Sequence, residues 1–223
     1  MGPSSGYHPA VEEYLETILE LEESGIPPMR ARIVERLGVS APAVSETVKR
    51  LEREGYLVLD ERRCLRLTDT GRRYATSIMR RHRLAERLLV DVLHVPWSEV
   101  HEEAGRLEHA ISPRLETYLV RLLGDPGTCP HGNPIPGSAN FRDDGPLVPL
   151  AAVSAGKAAV VRRIDERLES QYERMRALES DGLLPGCQFT VTAVEADAMQ
   201  LRVDGEDVRV PIPVAVNVYV TAA

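Results

Sequence analysis

Apolar residues recur at helical spacing from residue 9 to about 23, where Val11, Leu15, Ile18, Leu19 and Leu21 mark one face. Gly25 and Pro27-Pro28 end that helix. The segment RARIVERL at 30–37 predicts a second, shorter helix. A glycine turn follows, and then a third helix at about 41–54, with Ser40 as its N-cap and Pro42 in its first turn. Val44, Val48 and Leu51 keep helical spacing, and Gly55 stops the run. The pattern then changes to two short alternating stretches around a polar turn, YLVLDERRCLRLT, which predicts a β-hairpin. A long basic helix begins at Thr68 or Asp69 and covers DTGRRYATSIMRRHRLAERLLVDVL.

Residues 97–123 predict a further helical pair, begun by Trp97 and Ser98 and broken at Ser112-Pro113. Its second member carries Leu115, Leu119, Leu122 and Leu123 on more than one face, which suits either a dimer seam or packing within the chain. Residues 124–150 hold 11 Gly plus Pro in 27 positions and predict an irregular connector. A helix near 165–180 follows, and then period-two alternation in FTVTAV, MQLRVD, EDVRVPIP and AVNVYVT. Gly182, Gly186 and Gly205 punctuate this part, which predicts a small β-barrel. The fold class is mainly α with a small β part.

Helix, glycine turn, helix and hairpin follow one another in the order of a winged helix-turn-helix, with 41–54 as the recognition helix. Charge supports this reading. The 223 residues carry net charge -7, which excludes a globally basic histone-like binder. Between Arg30 and Arg73, however, 11 Lys plus Arg face 7 Asp plus Glu, a local +4 able to neutralise phosphates. The expected DNA face comprises Arg30, Arg32, Ser40, Pro42, Ser45, Glu46, Thr47, Arg50, Arg53 and Arg63. The competing reading is an ordinary three-helix core whose hairpin contacts protein. Three cysteines without a CxxC pair argue against a disulfide framework and suit a reducing cytoplasm. The start, MGPSSGYHPA, has no apolar run of a signal peptide, and no stretch is long enough to span a membrane.

Histidines and glutamates carry the candidate chemistry. His82 and Glu86, four apart, share a helix face. His101, Glu108 and His109 are expected to share a face of the next helix, and Glu13 and Glu16 a face of the first. Mixed imidazole and carboxylate donors suit a hard or borderline divalent ion such as Mn, Fe(II), Co, Ni or Zn. The alternative is a salt-bridge network in which Arg83, Arg87 and Arg106 pair the glutamates. A metalloenzyme is the third class, but no HExxH or other hydrolytic motif is present, so the chain reads as no enzyme.

The stretches EEYLETILELEESG, RARIVERLGVSAPAVSETVKRLEREG, LTDTGRRYATSIMRRHRLAERLL, EVHEEAGRLEHAIS and PHGNPIPG together resemble the diphtheria toxin repressor family of iron- and manganese-dependent regulators. The resemblance covers about residues 10–140 closely and implies a winged-helix domain at 1–75, a helical metal-binding and dimerisation domain at 76–145 and an SH3-like domain at 146–223. It implies a cytoplasmic homodimer that binds double-stranded operator DNA with a divalent metal as corepressor, and neither a membrane nor a small-molecule substrate. It also implies one metal site at His82, Glu86 and His101, with Gln171 added from the SH3-like domain. The next such position falls on Arg174, which cannot ligate, and Glu173 is a substitute. The second implied site holds Glu108 and His109 with Glu13, which stands where iron-sensing members carry methionine, and with Glu16 as the second glutamate of manganese-sensing members. Carboxylates there point to the manganese-sensing branch, with iron as the alternative and other divalent transition metals in vitro. Gly105 stands where the family uses a cysteine or glutamate ligand, so only its backbone oxygen is on offer. The resemblance further implies an anion-binding spot at Arg83 and Asn133, and Glu46 replaces a commoner glutamine on the recognition helix.

Overall fold

The computed structural model describes residues 9–143 and 145–222. The expectation that MGPSSGYHPA is no signal peptide falls mostly on residues 1–8, outside the described ones. The chain forms two compact units: Met1–His82 with Glu108–Ser112, and Arg83–Leu107 with Pro113–Ala223. The division falls inside the long helix and again around the turn at 108–112.

In the first unit α1 (Pro9–Glu23), α2 (Arg30–Leu37) and α3 (Ala41–Arg53) are followed by the hairpin β1 (Leu57–Leu59) and β2 (Leu65–Leu67) and by α4 (Asp69–Arg87). The helix limits follow their local signals. Gly38 ends α2 in the left-handed region at φ 64°, and Ser40 caps α3, its side chain accepting from Ala43 N at 3.4 Å. One core joins Leu15, Ile18 and Leu19 of α1 to Ile33, Val44, Val48 and Leu51 and to Leu57 and Leu65 of the hairpin. The hairpin is antiparallel, with Leu57 opposite Leu67. Thr68 accepts from Gly71 N at 3.1 Å and donates to Gly55 O at 2.6 Å, so the start of α4 is pinned to the turn before β1. A Cβ on Gly71 would lie 1.8 Å from Tyr56 O, so only glycine permits that approach.

The second unit begins within α4, which leaves α-geometry at Arg87 and continues as a π-turn over Leu88–Val92. There follow α5 (Val100–Leu107), α6 (Pro113–Leu123) and the strands β3 (Val148–Pro149) and β4 (Ala158–Ile164). The two short helices α7 (Glu166–Glu169) and α8 (Tyr172–Ser180) lead to β5 (Gln188–Val194), β6 (Ala198–Val203) and β7 (Glu206–Pro211), then α9 (Ile212–Ala215) and β8 (Val218–Ala222). The six strands form one antiparallel sheet in the order β3-β8-β4-β5-β6-β7. Register shifts at Val161/Arg163 and Val191/Ala193 bend and twist it, the means by which a sheet curls into an SH3-like barrel. Its interior is lined by Val161, Phe189, Val191, Leu201, Val210 and Val220, with Trp97, Leu168 and Met175 packed against them. The expected helix at 165–180 is two helices, because the chain breaks at Ser170 and Gln171. Among the described residues no helix is long and apolar enough to cross a membrane.

Candidate metal centre

Glu12 and Glu16 lie four apart on α1, and both turn inward; Glu12 is buried and Glu13 is exposed. Glu13, the expected ligand, is not one of these inward-facing side chains. The i,i+4 pair shares the face that Leu15 and Leu19 bury, and position 13 lies off it. Opposite α1 stand His82 of α4 and the turn Glu108–Ala110. His82 Nδ1 is 2.6 Å from Glu108 Oε2 and 3.8 Å from Glu16 Oε1. His109 Nδ1 is 2.5 Å from Glu12 Oε2, and its Nε2 is 3.6 Å from Glu108 Oε1. The result is an alternating row, Glu16–His82–Glu108–His109–Glu12, with Glu108 between the two imidazoles. Glu12 also accepts from Tyr74 OH at 2.8 Å, and Arg81 stands 3.9 Å away. Burial, and then the bond to Glu12, pushes the Tyr74 hydroxyl well above its usual range, so it stays a donor. One ligand atom each from Glu16, His82 and Glu108 lies within 4.8 Å of the others, a spacing that suits a cation.

Two other acids of α1 are held by arginines. Glu20 accepts from Arg36 of α2 at 2.7 Å and Glu22 from Arg72 of α4 at 2.7 Å. The idea that His101, Glu108 and His109 share one helix face is also corrected. The α-helix ends at Leu107, and Glu108–Ala110 winds as a 3-10 turn in the first unit, whereas His101 belongs to the second.

In the second unit Glu86 and His101 meet two residues that the sequence reading left out, His131 and Glu169. His101 Nδ1 is 3.5 Å from Glu86 Oε1 and 3.2 Å from Glu169 Oε2. His131 Nδ1 is 3.2 Å and 3.1 Å from the same two oxygens. Burial alone would lower the His131 imidazole, but Glu169 and Glu86 outweigh it and hold the group well above its ordinary value. Burial likewise works to raise Glu169, and the His131 charge overrides it and keeps the carboxyl low. Gln171 Nε2 donates to Arg167 O at 2.7 Å and Glu173 is exposed, whereas Glu169 is the carboxylate that lies beside His101 and His131. Gly105 lies in α5 with open space where a side chain would project.

Arg83 and Asn133, expected to bind an anion, are engaged by the chain's own carboxylates. Arg83 donates to Glu166 Oε1 at 2.6 and 3.1 Å and to Pro134 O at 2.6 Å, and Asn133 donates to Glu169 Oε1 at 2.7 Å. Arg87 bonds Thr128 O at 2.8 Å and Asp91, and Arg106 pairs with Glu102 and Glu103.

On α3 the core takes Val44, Val48 and Leu51. Ser40, Pro42, Glu46 and Arg53 are exposed, Ser45, Thr47 and Arg50 are half-buried, and Arg63 lies exposed at the hairpin tip. Arg30 is half-buried, and Arg32 is exposed beside Glu35 at 2.7 Å.

Comparison with known proteins agrees with this architecture. Residues 8–65 match the family model for the iron dependent repressor N-terminal DNA binding domain, residues 68–137 its metal binding and dimerisation domain, and residues 148–222 the FeoA domain. The chain is 44% identical over 210 residues to the iron-dependent repressor IdeR of Mycobacterium tuberculosis, covering 90% of this chain and 91% of that protein. It is 41% identical over 205 residues to the diphtheria toxin repressor of Corynebacterium diphtheriae, covering 88% and 90%. A solved manganese-dependent transcriptional repressor in complex with manganese superposes with a TM-score of 0.84 at 34% identity, over 96% of this chain and 100% of that one. With both the DNA-binding and the metal-binding portions matched, the chain belongs to the diphtheria toxin repressor family of metal-dependent, DNA-binding repressors.

Proposed function

We propose that the chain is a cytoplasmic homodimeric repressor that grips operator DNA in response to Mn2+ and so controls metal-transport genes. The observation that carries this is the row of three carboxylates and two imidazoles joining α1 to α4 and to the 108–110 turn. Glu12, Glu16, His82, Glu108 and His109 would hold an ion there, and Glu86, His101 and Glu169 form a second donor set. A bound dication supplies positive charge that offsets the repulsion among carboxylates drawn from separate segments.

The remaining work belongs to the chain. α1 shares one core with α3, and Arg36 fastens α2 to Glu20 of α1. The attitude of α1 is therefore passed to the recognition helix. In a dimer it sets how far apart two such helices stand, and only one separation suits half-sites in successive major grooves. α6 supports the dimer: Leu119 is buried, while Leu115, Tyr118 and Leu122 form an exposed apolar stripe. Oxygen-rich donors without sulfur in the first unit favour Mn2+. Fe2+ is the second reading, favoured by the likeness to iron-dependent repressors.

The test compares Glu12→Ala with Glu13→Ala in Mn2+-dependent binding to labelled operator DNA. Glu12→Ala loses the metal dependence, and Glu13→Ala keeps it. The reverse order would overturn the assignment.

A further inference from the structure

Residues 128–135 form a tight, buried turn onto β4. Thr128 bridges to Pro134, Gly132 N donates to Cys129 O at 3.0 Å, and Ile164 N donates to His131 O at 2.8 Å. Gly132, at φ 89°, has no room for a side chain, since a Cβ would lie 2.0 Å from Arg162 O. The turn aims two side chains inward, Cys129 at 1% exposure and His131 at 0%. Neither belongs to the metal-ligand set that the sequence suggested.

The His131 ring is fixed on one side. Its Nε2 lies 3.2 Å from Trp97 O, and the Trp97 ring packs edge-on at 4.6 Å between centroids. A hydrogen on Nε2 directed at that carbonyl leaves Nδ1 as the atom facing Glu86 Oε1 and Glu169 Oε2 at 3.2 and 3.1 Å. Asn133 holds the other Glu169 oxygen at 2.7 Å and orients the carboxylate. Ligand atoms of Glu86, Cys129 and His131 lie within 4.8 Å of one another. Donors around a tetrahedral Zn2+ with bonds of about 2.0–2.1 Å stand roughly 3.3 Å apart, close to the imidazole–carboxylate spacings here.

We propose that Cys129 Sγ and His131 Nδ1 join the carboxylates of Glu86 and Glu169 in a buried site for one thiophilic divalent ion, of the Zn2+ or Co2+ class. His101 borders the same two oxygens. The sulfur enters as thiolate and His131 as the neutral imidazole with its hydrogen on Nε2, the thiol proton and the Nδ1 proton passing to solvent as the ion binds. A thiolate donor shifts preference away from Mn2+, so the second unit selects a softer ion than the first. The inference rests on the chain's being metal-dependent and not on how operator binding is controlled.

The test uses full-length protein stripped with chelator and titrated with Co2+. The expected result is a near-ultraviolet sulfur-to-cobalt charge-transfer band that Cys129→Ser lacks. His131→Gln weakens Co2+ binding at that site by roughly ten- to a hundredfold, at least the cost of losing an outer-shell partner. No band in the parent, with equal cobalt stoichiometry in all three proteins, overturns the site. X-ray absorption on the Zn2+-loaded parent needs no variant: one sulfur at about 2.3 Å supports the site, and a shell of nitrogen and oxygen alone rejects it. A band that persists in Glu12→Ala, while metal-dependent operator binding is lost, separates this site from the first-unit cluster.

Discussion

Among the described residues Arg83 is the largest fully buried side chain, 1% exposed, and its guanidinium meets Glu166 twice and Pro134 O once. Glu166 is itself only 7% exposed. Arg83→Met roughly keeps the volume but removes the charge, leaving the Glu166 carboxylate and the Pro134 carbonyl without these donors in the interior. Breaking one side of such a buried pair costs about 3–5 kcal/mol, a large part of a domain's total of about 5–15 kcal/mol. Removing both charges costs far less, because the surviving ion was the source of the penalty. The double variant Arg83→Met/Glu166→Gln is thus expected to recover about 2–3 kcal/mol of the summed single losses. Guanidinium unfolding followed by Trp97 fluorescence is the assay, since the one tryptophan lies in the second unit beside His131. A loss under about 1 kcal/mol in Arg83→Met, or strict additivity in the double variant, would contradict a sealed, interdependent ion pair.

Gly105→Ala places a methyl group in open space within α5 and is expected to stabilise that helix by about 0.5–1 kcal/mol, measured by the same unfolding assay. Asp60 accepts from Cys64 N at 2.8 Å, from Arg66 Nε at 3.0 Å and from Arg62 N at 2.9 Å, and the Cys64 amide is the main cause of its lowered pKa. A lowered folded pKa means that the carboxylate steadies the hairpin tip above the ordinary Asp range, and that this support fades as pH falls through the folded value. Amide exchange at Cys64 should therefore quicken on acidification, and Asp60→Asn should remove that dependence.

Much of the first unit was legible because its boundaries are written locally. The Ser40 cap, the Gly38 and Gly55 stops and the Val44/Val48/Leu51 spacing fix α2, α3 and the hairpin without tertiary help. The strand β4 was missed because its bulge at Val161/Arg163 breaks the period-two alternation. Glu12 was passed over for Glu13 because three- and four-residue spacings both place side chains on one side of a helix. Only the packing of α1 decides between them. The turn at 128–135 read as a connector, since Pro and Gly dominate it. A signal was present nonetheless: Cys129, His131, Asn133 and Ile135 alternate, and all four are buried. Glu169 had no local signal at all, because its partners come from residues 101, 131 and 133.

Under the proposed function, metal binding and operator binding share one free-energy coupling through α1. Calorimetric titration of Mn2+ into metal-free protein, with and without operator DNA selected by the Mn2+-loaded protein, tests it directly. Reciprocity predicts that operator tightens Mn2+ binding by about 5–150-fold. Equal Mn2+ affinities in the two titrations would contradict it.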